Sequence, residues 1–273
     1  MDRVGREIDS KAYWESRTKD YLSSTLDDYH RHRMEVIGTL IPDGLYASGR
    51  RIYDFGCGDA DLFDDFLQAG AFIEGVDISE TMIQLAHKNL SSKGHDPRLA
   101  RLGTLDDMRR MEKSGYDAVI SLNVLAYLID RDEVAFYQEA ARILKPGGYL
   151  VVTHSNELFD LFTFNRYTIE FFNRHFIEED SYRERLPSLM TNPGQPKKYT
   201  TFSVRENPLA YRYKLAKYGF NEIKQGFMRK HAAPPLLLEG KQPLPDTLNW
   251  DEESRWKLMF CCSMFGSLSM KKE

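Results

Sequence analysis

Two acids and two glycines carry the strongest chemical signal in this chain. Asp54 lies in Tyr53-Asp54-Phe55-Gly56-Cys57-Gly58-Asp59-Ala60-Asp61-Leu62, and Asp77 ends the run Ala71-Phe72-Ile73-Glu74-Gly75-Val76-Asp77. Gly56 and Gly58 have no Cβ, so a ligand can pass close to the backbone there. An acid about twenty residues further on, at the end of the next apolar run, can accept a pair of ribose hydroxyls. The combination describes a nucleoside-binding turn. It lacks the third glycine of the G-x-G-x-x-G spacing, which lets helix and strand pack closely in dinucleotide enzymes, and so argues against NAD and flavin.

These residues need a strand-turn-helix frame, and the sequence supplies one. Arg51–Phe55, Phe72–Val76, Arg98–Leu102, Tyr116–Ser121 and Tyr149–Thr153 read as strands, and Asp61–Ala69, Glu80–Ser92 and Asp132–Leu144 as helices between them. Lys145-Pro146-Gly147-Gly148 is a stop signal, with a basic residue, Pro and Gly in order. Alternating units of this kind make a parallel sheet covered on both faces. Upstream, residues 10–41 read as helical. After Asn156 the pattern changes to an aromatic helical stretch over 157–176, then a polar stretch with Pro187, Pro193, Gly194 and Pro196. A helix over Pro208–Tyr218 and strands over Phe220–Phe227 and Lys257–Met270 follow. The predicted fold class is α/β: a Rossmann-like, seven-stranded, mostly parallel sheet with its last strand antiparallel and helices on both faces. An N-terminal helical cap (1–45) precedes a core (46–155), an insertion or lid (156–213) and the C-terminal part of the sheet (214–273).

Composition bounds the function classes. With 273 residues, 42% hydrophobic and 29% charged, the chain can build a substantial core. A formal charge of −4 gives no basic field for nucleic acid. No run of about 18 apolar residues is available to span a bilayer, and the polar start Met1-Asp2-Arg3-Val4-Gly5-Arg6-Glu7 has no signal-peptide core. Cys57, Cys261 and Cys262 form neither a disulfide framework nor a zinc-ligand pair, so no metal is expected and the cytoplasm is the expected location.

The glycine turn and the Lys145–Gly148 turn together resemble the class I S-adenosylmethionine-dependent methyltransferases of the small-molecule type, well over about residues 45–155 and in outline over 215–270. The resemblance implies S-adenosyl-L-methionine as cofactor. It places Gly56 and Gly58 beside the methionine part, Asp54 on the amino group and Asp77 on the ribose. Ile78 and Leu105 flank the adenine, Asp106 accepts its amino group, and the Asn123 carbonyl lies near the ammonium. Arg33 reaches the carboxylate, and Tyr21 closes the N-terminal helix over the cofactor.

Methyl transfer from a sulfonium needs mainly an aligned nucleophile, and a hydroxyl or protonated amine also needs a proton acceptor, a role suited to histidine. His154, at the carboxyl end of the fifth strand, is the best placed from sequence, with His32 and His231 as the other candidates. Tyr127 is expected on the acceptor side. Over residues 181–205, Arg183, Arg185, Lys197, Lys198 and Arg205 stand against one acid, Glu184. That imbalance suits an anionic acceptor such as a phosphorylated metabolite or a nucleotide-linked sugar; a natural-product intermediate is also compatible. The expected activity is O-methylation of a small molecule. N-methylation, RNA-base methylation and a non-catalytic nucleoside-binding accessory role are the alternatives. The aromatic insertion also offers a surface for a homo-oligomer.

Overall fold

The computed structural model describes residues 11, 15, 28–163, 167–168, 170–171, 204–231 and 256–272. The sheet contains β1 (Arg51–Phe55), β2 (Phe72–Asp77), β3 (Ala100–Leu102), β4 (Tyr116–Ser121), β5 (Leu144–Asn156), β7 (Phe220–Lys230) and β8 (Cys262–Lys271), in the order β3-β2-β1-β4-β5-β8-β7. A two-residue strand, β6 (Arg205–Glu206), adds in parallel to the end of β5. Strands β1 to β5 are parallel, and β8 runs antiparallel to both β5 and β7. The sheet order reverses between β1 and β4, which is where open α/β sheets bind ligands beyond the carboxyl ends of their strands.

The helices are α1 (Asp28–Leu40), α2 (Phe63–Gln68), α3 (Glu80–Ser92), α4 (Leu105–Arg110), α5 (Asp130–Ile143), α6 (Phe159–Thr163), α7 (Tyr211–Ala216) and α8 (Leu258–Cys261). Strand residues of alternating parity feed two cores. On one face Ile52, Ile73, Ala118, Ile120 and Val151 pack with Ile37, Leu40, Phe63 and Ile83. On the other, Tyr53, Val76, Val119, Leu150 and Val152 pack with Phe136, Tyr137, Tyr211 and Leu215. Because both faces are covered, all six residues of β4 are buried, Asp117 and Ser121 included.

Local signals set the helix boundaries. The Ser79 Oγ accepts the Met82 N–H and starts α3 directly after Asp77. Thr104 and Asp107 form a reciprocal capping box that starts α4. Asp130, Asp132 and Glu133 sit in the first turn of α5 and Arg142 in its last, in the sense that complements the helix dipole. Arg142 also donates to the carbonyls of Met108 and Met111, closing the end of α4.

Several expected boundaries move. The third strand begins at Ala100 because Pro97–Leu99 is a 3₁₀ turn behind the Asp96 cap. The expected strand at Lys257–Met270 starts only at Cys262. The last antiparallel partners of β8 are Ser155, opposite Met264, and Lys230, opposite Cys262, so the chain before Cys262 closes a helical turn instead. α4 and β6 were not anticipated. The expected helix over 10–41 is described as α1 only from Asp28, and the aromatic stretch over 157–176 as α6. Tyr21, Arg183, Arg185, Lys197 and Lys198 lie outside the described residues. Among the described residues no helix is long and apolar enough to cross a membrane, and no cluster of His, Cys, Asp and Glu can hold a metal ion.

Candidate functional site

A cavity of about 710 Å³ opens at the carboxyl ends of β1, β2 and β4, within the range of small-molecule sites. Its floor is the turn after β1. The Gly56 and Cys57 amides both donate to the Val76 carbonyl, which bends the chain back over β2. Gly56 has φ +82, and a Cβ there would lie 2.1 Å from Val124 Cγ2. Gly58 has φ +55 and more room, with Met82 Cε 3.3 Å from the corresponding point. Glycine at 56 thus serves packing against Val124 as well as access for a ligand.

Asp77 is fixed from two sides. Its carboxylate accepts the Gly58 amide at 3.0 Å and the Ser79 amide at 2.9 Å, so one acid ties the turn after β1 to the start of α3. Burial raises its pKa, and these backbone bonds work the other way without cancelling the rise. Asp54 is only 3% exposed, and its Oδ1 meets no partner among the described residues. Burial, and then the charge of Asp77, push the Asp54 pKa to about 8. A buried carboxylate beside a half-buried one favours a cationic guest.

Ile78, 37% exposed, and Leu105 face the cavity as an apolar pair, and Asp106 lies beside them. The capping box uses one of the two acids after β3. Asp107 spends its carboxylate on the Thr104 amide, while Asp106 pairs with Arg109 at 2.5 Å. Asn123, with φ +63, donates its amide to Thr153 Oγ1 and lines the cavity with Tyr127 and Leu128. Arg33 and Met34 reach it from α1. Glu15, from the N-terminal segment, accepts the Glu80 amide and the Thr81 hydroxyl at the start of α3.

Asp54, Gly56, Gly58, Asp77, Ile78, Leu105, Asp106, Asn123, Arg33 and Tyr127 therefore converge on one cavity. The three histidines do not. His154 is 2% exposed and packs against Tyr211 and Phe265, with ring centroids at 4.5 and 5.4 Å. Its side chain points from β5 into the core under α7, because strand residues alternate faces and 154 has the parity of Val152. Burial, and then the Lys214 charge, hold its pKa well below the usual value. His231 packs on Phe159 at 4.7 Å, and burial with the Arg229 charge lowers it to about 4. His32 is half-buried on α1 next to Arg33 but is not among the lining residues. The position of His154 corrects the sequence expectation for a base.

The sequence reading missed Asp59, Asp61, Arg109, Arg131 and Asp132, which also line the cavity. Arg131 and Asp132 sit in the first turn of α5, at the ligand end of the sheet. The start of the helix that follows β4 was the signal that could have found Arg131 and Asp132.

A family model described as a methyltransferase domain matches residues 52–148. The ubiquinone biosynthesis O-methyltransferase of Bradyrhizobium sp. (strain ORS 278) is 37% identical over 109 residues, 40% of this chain and 41% of that protein. The protein of the same description from Alkalilimnicola ehrlichii is 28% identical over 131 residues, 48% of this chain and 51% of that one. The chain thus spans about half the length, or less, of these relatives. In fold it is similar to magnesium protoporphyrin IX methyltransferase from Synechocystis PCC 6803, solved with S-adenosylhomocysteine (SAH) bound. That likeness has a TM-score of 0.59 at 17% identity and covers 96% of this chain and 98% of that one. Residues 52–148 therefore match a methyltransferase domain, within a fold shared with solved S-adenosylmethionine-dependent methyltransferases.

Proposed function

We propose that this chain transfers a methyl group from S-adenosylmethionine to a hydroxyl oxygen of a small molecule, with a phenolic hydroxyl as the first class to test. The observation that carries the cofactor assignment is the buried Asp54, whose Oδ1 meets no partner among the described residues, lining the same cavity as the apolar pair Ile78 and Leu105. A cationic, carboxylate-bearing end and a flat adenine end fit those two regions. The phenolic acceptor is suggested by the ubiquinone biosynthesis relatives.

In this reading Asp77 holds the ribose hydroxyls, Asp54 the ammonium and Arg33 the carboxylate, while Asp106 meets the adenine amino group. The cofactor supplies an electrophilic methyl on a sulfonium. The protein aligns the acceptor oxygen opposite the sulfur and keeps water out. Leu122, Val124, Tyr127 and Leu128 supply an apolar wall for a ring, and Arg131 and Asp132 mark its outer edge. A proton acceptor comes from the lining carboxylates. Asp59, raised by burial and by neighbouring Asp61, is better matched to that task than an unperturbed aspartate.

A second reading, N-methylation of an amine, is favoured by the lining acids that the cofactor assignments leave over, Asp59, Asp61 and Asp132, against Arg109 and Arg131. The anionic acceptor rests on Arg183, Arg185, Lys197 and Lys198, outside the described residues, and stays a proposal from sequence. The test is transfer of labelled methyl to a matched panel of phenols, amines and sugar phosphates. Labelling of phenols supports the first reading, labelling of amines alone the second, and labelling of sugar phosphates alone the anionic one.

A further inference from the structure

Lys214 lies outside the cavity yet holds two of the segments that build its acceptor wall. Its ammonium donates to Glu133 Oε1 and to Glu206 Oε1, and it sits 5.5 Å from the Tyr137 ring centre. Side-chain exposures of 23% for Lys214, 8% for Glu133 and 11% for Glu206 make this a largely buried triad. Burial works to lower the lysine pKa, but the two carboxylates outweigh it and the net shift is upward.

Each carboxylate is the end of a short lever. Glu133 follows Arg131 and Asp132 in the first turn of α5, and both of those line the cavity. Glu206 belongs to β6, where the chain returns from the segment after α6. Three consecutive residues dock that return. The Val204 amide donates to the Ala126 carbonyl, next to the lining residues Tyr127 and Leu128. Arg205 pairs with Asp160 of α6 at 3.0 Å, and the Glu206 carbonyl accepts the Glu157 amide. Lys214 itself is held by its short helix, where Tyr211 bonds Tyr137 at 2.7 Å and Leu215 is fully buried.

Buried ion pairs contribute little net stability against an apolar replacement, but they fix geometry tightly when every partner is satisfied. An ammonium offers three donors from one point, which lets it join two separate carboxylates. Resting on the methyltransferase reading above, we infer that Lys214 is a positioning residue for acceptor binding, setting the 124–128 turn and the first turn of α5 through Glu206 and Glu133. It leaves the cofactor end of the cavity untouched.

The test uses the full chain with S-adenosylhomocysteine as the cofactor probe and 3,4-dihydroxybenzoate as a catechol acceptor. Lys214→Met should leave S-adenosylhomocysteine affinity within about twofold while exchange of the hydrogen-bonded Val204, Asp132 and Glu133 amides speeds at least tenfold. Lys214→Arg should restore protection. If the catechol is methylated, Lys214→Met should raise its KM far more than it lowers kcat. Because Lys214→Met leaves two carboxylates facing each other, a triple variant with Glu133→Gln and Glu206→Gln keeps the comparison when the single variant does not fold. Unchanged exchange at these amides in both variants overturns the inference, as does an equal loss of cofactor affinity. Failure to methylate the catechol bears on the acceptor class alone, since the exchange and binding readouts need no acceptor.

Discussion

The Asp77 carboxylate accepts the Gly58 amide at 3.0 Å, so the acid that ends β2 holds the glycine turn that ends β1. The residue proposed to bind the ribose therefore also shapes the turn proposed to carry the cofactor. Asp77→Asn should weaken S-adenosylhomocysteine binding by roughly 1–3 kcal/mol through loss of charge-assisted bonds. Calorimetric titration of both proteins checks this, and equal affinities would remove Asp77 from the site.

The two glycines of the turn should respond unequally to alanine. Gly56→Ala meets Val124 Cγ2 at 2.1 Å in a left-handed backbone, whereas Gly58→Ala meets only the flexible end of Met82 at 3.3 Å. The second change should cost roughly 1–2 kcal/mol from backbone conformation alone, and the first more. Adding Val124→Ala should recover part of the Gly56→Ala loss and none of the Gly58→Ala loss. Urea unfolding of the variants measures this coupling.

His154→Phe should keep S-adenosylhomocysteine affinity and leave methyl transfer within a few-fold of the native rate. The ring sits among Tyr211 and Phe265, and its Nε2 has no partner among the described residues, so an apolar ring of similar size fits the place. Single-turnover kinetics decide. A large fall in the chemical step with intact cofactor binding would return His154 to the reaction.

Asp54 gives the protein without cofactor a distinct pH response. Its folded pKa of about 8 lies above the ordinary aspartate value, so the folded state binds the extra proton between those limits. Stability of the free protein should fall as pH rises from about 4 to 8 on account of this group, and Asp54→Asn should flatten that slope. Binding of a cation there favours the ionised form. Cofactor affinity should rise with pH up to about 8, with proton release visible as a buffer-dependent binding enthalpy. Absence of both effects would place the Asp54 proton elsewhere.

The parts of the fold set by local chemistry were legible in the sequence. The apolar runs at Arg51–Phe55, Phe72–Val76 and Tyr116–Ser121 became β1, β2 (extended by Asp77) and β4, and the glycine turn between Phe55 and Asp59 lies where its spacing put it. α4 was missed although Thr104-x-x-Asp107 is a capping box, because the six-residue helix is too short to show periodicity. β6 could not be read. Its two polar residues are held by Asp160, Glu157 and Lys214, partners that only the folded chain brings near. The face of His154 was hidden for another reason. β5 is covered on both sides, so hydrophobic alternation does not mark which parity faces which core.

The account turns on what binds at the turn after β1, and calorimetric titration of the full chain with S-adenosylhomocysteine and with NAD tests that most directly. It predicts saturable one-to-one binding of S-adenosylhomocysteine, weakened roughly 10- to 100-fold by Asp77→Ala, and no saturable binding of NAD. Tighter binding of NAD, or S-adenosylhomocysteine binding indifferent to Asp77→Ala, would contradict it.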